Sequence, residues 1–301
     1  MSHHLSYLEA GVIGAMQGVA ELFPVSSLGH SVLLPAVVGG SWAHDLNVST
    51  SESPYLAFIV GLHVATAIAL LIYFWRDWVR VIGGFLTSIA RREVRTSDQR
   101  LAWLLILGTI PVGLVGLLSE HWFRTTLAKP VPTACFLIVN GLVLLGAEQL
   151  RRRDPALDSE YVDERITGPA SDARLSGQKV GGAVLIGTAQ VLALAPGISR
   201  SGVTMVAGMV RGLSREDAAR FSFLLATPVI FAAGFLKLKD LFGPLGDGIR
   251  GQVLFGSVLS GVGAYLAVRF LTRYLAGRSL RPFAAYCIAA GAASLAWFAI
   301  R

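Results

Sequence analysis

Cysteine is nearly absent: Cys135 and Cys287 are the only two in 301 residues. Both sit inside apolar runs, which excludes a disulfide framework. Charge is scarce as well, since Asp, Glu, Lys and Arg make up 15% of the chain, against about 25% in an average soluble domain. The amino terminus, Met1-Ser-His-His-Leu5, lacks a positive n-region, so no cleavable signal peptide is expected. Apolar residues fill the space, at 53% of the chain with a mean hydropathy of +0.60. That composition excludes a soluble globular enzyme, a disordered chain and a collagen-like rod. The 26 basic residues exceed the 19 acidic ones, but they cluster between apolar runs and form no continuous basic face. No nucleic-acid partner is expected.

A helix needs about 20 mostly apolar residues to cross a bilayer. Six stretches qualify, at 55–75, 101–119, 132–150, 217–238, 251–271 and 282–300. Two more apolar stretches, 5–38 and 180–210, are interrupted by Phe23-Pro-Val-Ser-Ser-Leu-Gly-His30 and by Ala195-Pro-Gly-Ile-Ser-Arg-Ser-Gly202. Pro and Gly among hydroxyls end a helix, and each half is too short to span. The expected fold class is therefore an all-α polytopic membrane protein with six transmembrane helices plus two re-entrant helical hairpins. Broken backbone at that depth survives where protein buries it or where it lines a watery cavity.

Basic residues set the orientation. Six lie in 76–100, six in 151–179, then Arg211, Arg215 and Arg220, and Arg269, Arg273, Arg278 and Arg281 around the last turn. The opposite side has Arg124, Lys129, Lys237, Lys239 and Arg250. The first group belongs in the cytoplasm, and topology alone accounts for almost all of these arginines. A shift of 173 residues lays Gln17 on Gln190, Ser26 on Ser199, Ser27 on Arg200 and Gly29 on Gly202. Each broken segment precedes three spans, so the halves form an inverted repeat, 1–150 and 180–301. The cytoplasmic linker 151–179 joins them and reads as solvated charge. In such repeats, sites form near the midplane where discontinuous helices meet. Gly14 and Gly18 permit close helix packing, within the chain or between chains in an oligomer.

Gln17 and Glu21 share one helical face, and Ser26, Ser27 and His30 follow in the first break. A charged residue at the bilayer centre costs on the order of 2.5–3.5 kcal/mol on insertion scales and usually marks function. The second break offers Ser199, Arg200, Ser201 and Thr204. The Arg200 fork suits phosphate oxygens, and the alternative role is an ion pair with Glu21. Both return helices would aim their N-termini at one region, which favours an anion. The set describes a phosphate site. Zinc fits poorly, because the histidines show no helical pairing with other ligands, whereas Mg²⁺ on Glu21 and phosphate oxygens is reasonable.

The stretch Gln17-Gly-Val-Ala-Glu21-Leu-Phe-Pro-Val-Ser-Ser-Leu-Gly-His30 resembles the signature of the bacterial undecaprenyl-diphosphate phosphatase, or bacitracin-resistance, family. So do Pro196-Gly-Ile-Ser-Arg-Ser-Gly-Val-Thr204, Gly108-Thr-Ile-Pro111 and Arg220-Phe-Ser-Phe-Leu-Leu-Ala-Thr-Pro228. The resemblance implies removal of the terminal phosphate from a C55 isoprenyl diphosphate in the bacterial plasma membrane. It also implies a site open to the outer face, dependence on Mg²⁺ or Ca²⁺, and reuse of the lipid carrier for the cell wall. The family motif accepts Glu or Gln at position 17; with Gln17, one metal carboxylate is missing. Leu22-Phe23 stands where Phe-Leu is commoner.

The expected roles follow. Arg200, Ser26, Ser199, Ser201 and Thr204 bind phosphate oxygens, and Glu21 holds the metal with the Gln17 amide oxygen. His30 activates Ser27 or a water, or itself takes the phosphoryl group. A lipid-phosphate flippase or secondary transporter would use the same midplane site. The acid-phosphatase-like membrane enzymes carry a similar Ser-Gly-His and Ser-Arg, but no His follows His121 here to complete their catalytic pair.

Overall fold

Ser6 starts the first helix through a capping box: its Oγ accepts from Glu9 N–H while the Glu9 carboxylate accepts from Ser6 N–H. The computed structural model describes residues 5–46, 54–152, 169–237, 242–243 and 246–300. Helix α1 (Tyr7–Leu22) halts at Phe23-Pro24, and α2 (Ser27–Val38) and the short α3 (Gly40–Asp45) follow. Next come α4 (Pro54–Tyr73), an amphipathic α5 (Trp75–Arg91), α6 (Ser97–Leu127) and α7 (Pro130–Arg152). Helix α8 (Pro169–Ser176) leads to α9 (Val180–Ala189), which tightens into a 3₁₀ turn at Gln190–Leu194 before the second break. The chain ends with α10 (Arg200–Val210), α11 (Arg215–Leu236), α12 (Arg250–Tyr274) and α13 (Arg281–Ile300).

Six helices, α4, α6, α7, α11, α12 and α13, are long and apolar enough to cross a membrane. They coincide with the six expected stretches to within a few residues, except that α6 continues past the end of 101–119 to Leu127. No strand occurs among the described residues. Large apolar side chains such as Leu118, Leu142 and Leu254 stay exposed on these helices, as they must where the surrounding solvent is hydrocarbon.

Packing between the halves is reciprocal. Helix α1 lies along α12, and α9 lies along α6. Close approach makes the first contact possible: a Cβ at Gly18 would fall 2.1 Å from the Ser260 carbonyl oxygen. Gly14 faces Gly256 in the same seam, so this small-residue pair serves packing within the chain. On the other side α9 meets α6 at Gly187 and Gly108. Each broken segment is thus braced by a long helix of the opposite half.

Topology alone does not account for Arg80, Arg174, Arg215 and Arg220, which corrects the sequence expectation. Arg220 is completely buried. Its Nη2 donates to Asp172 and, at 3.1 Å, to Asp77, while Nη1 donates to Ser171 Oγ at 2.9 Å. Arg80 Nη2 reaches Asp172 at 2.6 Å and Asp77 at 2.5 Å. Arg174 Nε donates to Asp217 at 2.6 Å, and Arg215 holds Glu148 with two bonds of 2.9 and 2.8 Å. Charges this deep persist only when paired and hydrogen-bonded. The final part of the 151–179 linker is likewise no solvated loop, since Ser171 and Asp172 on α8 are fully buried. Its central part, 153–168, lies outside the described residues, as does Lys239.

Candidate active site

Pro24 ends α1, and Val25 N–H closes a tight turn onto the Phe23 carbonyl at 2.7 Å. Ser26 then takes φ 66, ψ 94, a left-handed backbone conformation that costs a non-glycine residue on the order of 1–3 kcal/mol. Two donors hold it there. Its Oγ accepts from Gly29 N–H at 3.2 Å, capping α2, and from Gly197 N–H in the second break at 3.1 Å. Ser199 caps α10 in the same way, accepting from Gly202 N–H at 3.1 Å.

The two breaks therefore touch, and other groups fasten them. Ser201 Oγ donates to the Phe23 carbonyl at 3.1 Å. Asn140, in the middle of α7, bridges both breaks. Its amide nitrogen donates to the Pro24 carbonyl at 2.9 Å, and its oxygen accepts from Ser199 N–H at 2.9 Å.

The reactive groups converge beside this junction. Arg200 Nη2 donates to Glu21 Oε1 at 2.7 Å. Ser27 Oγ donates to Glu21 Oε2 at 2.5 Å, and Gln17 Nε2 donates to the same oxygen at 3.0 Å. His63, from the middle of α4, brings its Nε2 to 3.3 Å from Glu21 Oε2 and to 3.3 Å from Gln17 Nε2. Ser27 and Arg200 are the first residues of α2 and α10, so two positive helix ends and their free N–H groups face one place.

Two adjoining cavities share Glu21, Leu28, His63 and Arg200. The polar one, about 130 Å³, is lined also by Ser26, Ser27, Gln190 and Ser199. The apolar one, about 280 Å³, runs between α4 and α11 past Ile59, Val60 and Ile230 to Ala128 and Lys237. A charged headgroup suits the first chamber and a hydrocarbon the second.

Of the residues singled out in the sequence, Gln17, Glu21, Ser27 and Arg200 meet in one cluster, and Ser26 and Ser199 line its cavity. Ser201 and Thr204 are turned to backbone carbonyls, Thr204 Oγ1 donating to the Arg200 oxygen at 2.6 Å, and neither lines either chamber. His30 is not brought to Ser27. Its Nδ1 is 2.7 Å from the Ser26 carbonyl and its Nε2 2.7 Å from Tyr286 Oη, with the two rings stacked. The expected divalent ion finds a poor donor set. Both Glu21 oxygens are already engaged, Gln17 presents nitrogen rather than oxygen, and among the described residues no group of three or more His, Cys, Asp or Glu is arranged to hold a metal ion. No step below passes through a protein-held metal.

His63 and Asn140 escaped the sequence reading. The signal was present in both cases: an imidazole and an amide in the centre of long apolar helices, the same anomaly that exposed Glu21.

Residues 10–293 match the model of the bacitracin resistance protein BacA family. The chain belongs to that family. Over the full length of both chains it is 64% identical to the undecaprenyl-diphosphatase of Mycolicibacterium paratuberculosis and 63% identical to that of Mycobacterium avium. It is 51% identical to undecaprenyl-diphosphatase 2 of Frankia alni over 99% of each. Within this family, the Glu21–Ser27–Arg200 cluster occupies the two motifs that carried the resemblance.

Proposed function

We propose that this protein hydrolyses undecaprenyl diphosphate to the monophosphate and phosphate through a phosphoserine on Ser27, recycling the lipid carrier for cell-wall synthesis and conferring resistance to bacitracin. One observation carries the mechanism. A hydroxyl stands 2.5 Å from one oxygen of a carboxylate whose other oxygen is 2.7 Å from an arginine, at the meeting of two helix N-termini. That is a nucleophile with its base and an anion clamp.

The terminal phosphate would enter the polar chamber, displacing part of the Arg200 guanidinium onto its oxygens, while the first isoprene units occupy the apolar chamber. Ser27 Oγ attacks the terminal phosphorus and gives its proton to Glu21 Oε2. The new Oγ–P bond forms as the bridging P–O bond breaks, and the lipid monophosphate leaves with that electron pair. Water then attacks the phosphoserine, the Oγ–P bond breaks, Glu21 returns the proton to Oγ, and dihydrogen phosphate departs. Arg200 and the N–H groups of the two helix starts neutralise the equatorial oxygens, which is most of what phosphoryl transfer asks of a protein. The expected Mg²⁺ or Ca²⁺ would be held chiefly by oxygens of the diphosphate itself and would supply charge neutralisation there, since Mg²⁺ is commonly bound by one or two carboxylates together with substrate phosphates.

The membrane setting is part of the same proposal. The broken segments are re-entrant hairpins of an inverted repeat, a reading supported by their reciprocal packing and by identical serine caps 173 residues apart (Ser26 with Gly29, Ser199 with Gly202). The site opens to the outer face of the bacterial plasma membrane. Its apolar chamber leads to Ala128 and Lys237, on the side that is poor in basic residues.

The test is phosphate release from farnesyl diphosphate by the purified protein in detergent, with Mg²⁺ and no gradient. Catalytic release is expected. Binding of the lipid without release would overturn the proposal and favour a flippase.

A further inference from the structure

His63 stands in the middle of α4, and nothing in the mechanism above uses it. Its Nδ1 is 2.9 Å from the Ile59 carbonyl oxygen, and its Nε2 is 3.3 Å from Glu21 Oε2. A carbonyl and a carboxylate only accept, so both ring nitrogens carry hydrogen and the ring is an imidazolium paired directly with Glu21. Gln17 Nε2, 3.3 Å from the same ring nitrogen, also donates to Oε2, at 3.0 Å. Two donors thus stand side by side on one oxygen.

This cation sits where the two chambers join. Four residues line both of them: Glu21, Leu28, His63 and Arg200. Of these four, only His63 and Arg200 can donate to an anion. The His63 side chain is 27% exposed, against 15% for Arg200 and 5% for Glu21, so it presents the most open charge at the junction. A diphosphate spanning the chambers puts its terminal phosphate on Ser27 and Arg200 in the polar one, and its first isoprene unit in the apolar one. The inner phosphate then lies at the junction, where Arg200 is already committed and His63 is the cation left.

We propose that His63 holds the inner phosphate, the one that stays on the lipid, and stabilises it as a leaving group. The inference rests on the Ser27 mechanism above. When Ser27 passes its proton to Glu21 Oε2, that oxygen loses the charge that faced the ring. The Nε2–H then turns to the bridging oxygen, where charge develops as the P–O bond breaks. A positive donor placed there acts on the transition state above all. His63 keeps its proton throughout. The same subsite explains why the reaction stops at the monophosphate: with its tail in the apolar chamber, the lone phosphate of that product lies on His63 and away from Ser27.

The test is inhibition by the two products, measured on phosphate release from farnesyl diphosphate in detergent. Farnesyl monophosphate probes the inner subsite and inorganic phosphate the terminal one. His63→Leu is expected to weaken inhibition by farnesyl monophosphate about 10- to 100-fold, the worth of a hydrogen bond to a charged group. Inhibition by inorganic phosphate should stay within about threefold of wild type, because Arg200 and both helix starts remain. The kcat/KM for farnesyl diphosphate should fall about 10²- to 10³-fold, as on losing one donor to developing charge. His63→Gln keeps a neutral donor without the charge, and a weakening of the lipid product by at least about threefold is expected. Should the leucine variant fail to fold, the glutamine variant decides the matter alone. Equal weakening of both inhibitors, an unchanged response to farnesyl monophosphate, or no inhibition of the wild type by it would overturn the proposal. Wild-type phosphate release and its loss in Ser27→Ala are measured alongside. Their absence would sink the mechanism, whereas their presence with a lipid-product inhibition indifferent to His63 would sink this inference alone.

Discussion

Ser27→Ala is expected to lower kcat for an isoprenyl diphosphate by on the order of 10³-fold or more. The substitution removes the attacking oxygen together with the general-base assistance of Glu21, the latter alone worth about 10²–10⁴. It should leave the fold standing. Glu21 Oε2 keeps its bond from Gln17 and Oε1 keeps Arg200, so the lost neutral hydroxyl costs about 1 kcal/mol. KM should change little, because the phosphate ligands remain. Phosphate release measured against folded, monodisperse variant checks the point. Retention of more than about a tenth of the wild-type rate would assign the attack to another group, with water or His30 next in line.

Arg200 is expected to show two separable effects. Arg200→Lys keeps a cation beside Glu21 but loses the planar fork that meets two oxygens at once. A fall of about 10²–10³ in kcat/KM is expected, the magnitude typical of losing one donor to a developing oxyanion, with a melting temperature close to wild type. Arg200→Met also strips the buried Glu21 of its guanidinium partner, whose side chain is 15% exposed against 5% for the carboxylate. Removing one partner of a buried pair costs about 3–5 kcal/mol, so this variant should melt well below the lysine variant. Melting in detergent beside kcat/KM for both variants separates the two contributions. Wild-type turnover in Arg200→Lys would rule out fork binding of phosphate, and equal melting of the two variants would rule out the structural role of the pair.

What was legible in the sequence was what hydrophobicity and helix breaking write locally. The six spans follow from the length of apolar runs, and both interruptions follow from Pro24 and from Pro196-Gly197, where the backbone turns positive in φ at Gly197. Glu21 and Arg200 were legible because each is costly where it stands, and the cost is offset by their meeting. Partner choice was not legible. His30 reads as an activator of Ser27 from its place three residues on, but α13 supplies Tyr286, and the ring is held there with both nitrogens engaged. Ser201 and Thr204 read as phosphate ligands, yet helix geometry carries them to the carbonyls of Phe23 and Arg200. Arg220 sits at the boundary of an apolar run, where a lipid-facing and a buried position look alike. Only the arrival of Asp77 from α5 and Asp172 from α8 tells them apart.

The most direct measurement is the stereochemical course at phosphorus, using an isoprenyl diphosphate whose terminal phosphorus carries a sulfur and two different oxygen isotopes, hydrolysed in water of the third isotope. Two in-line displacements, onto Ser27 and then onto water, should return inorganic thiophosphate with its configuration retained. Inversion would mean that water attacks the diphosphate in a single step, and the covalent account would be wrong.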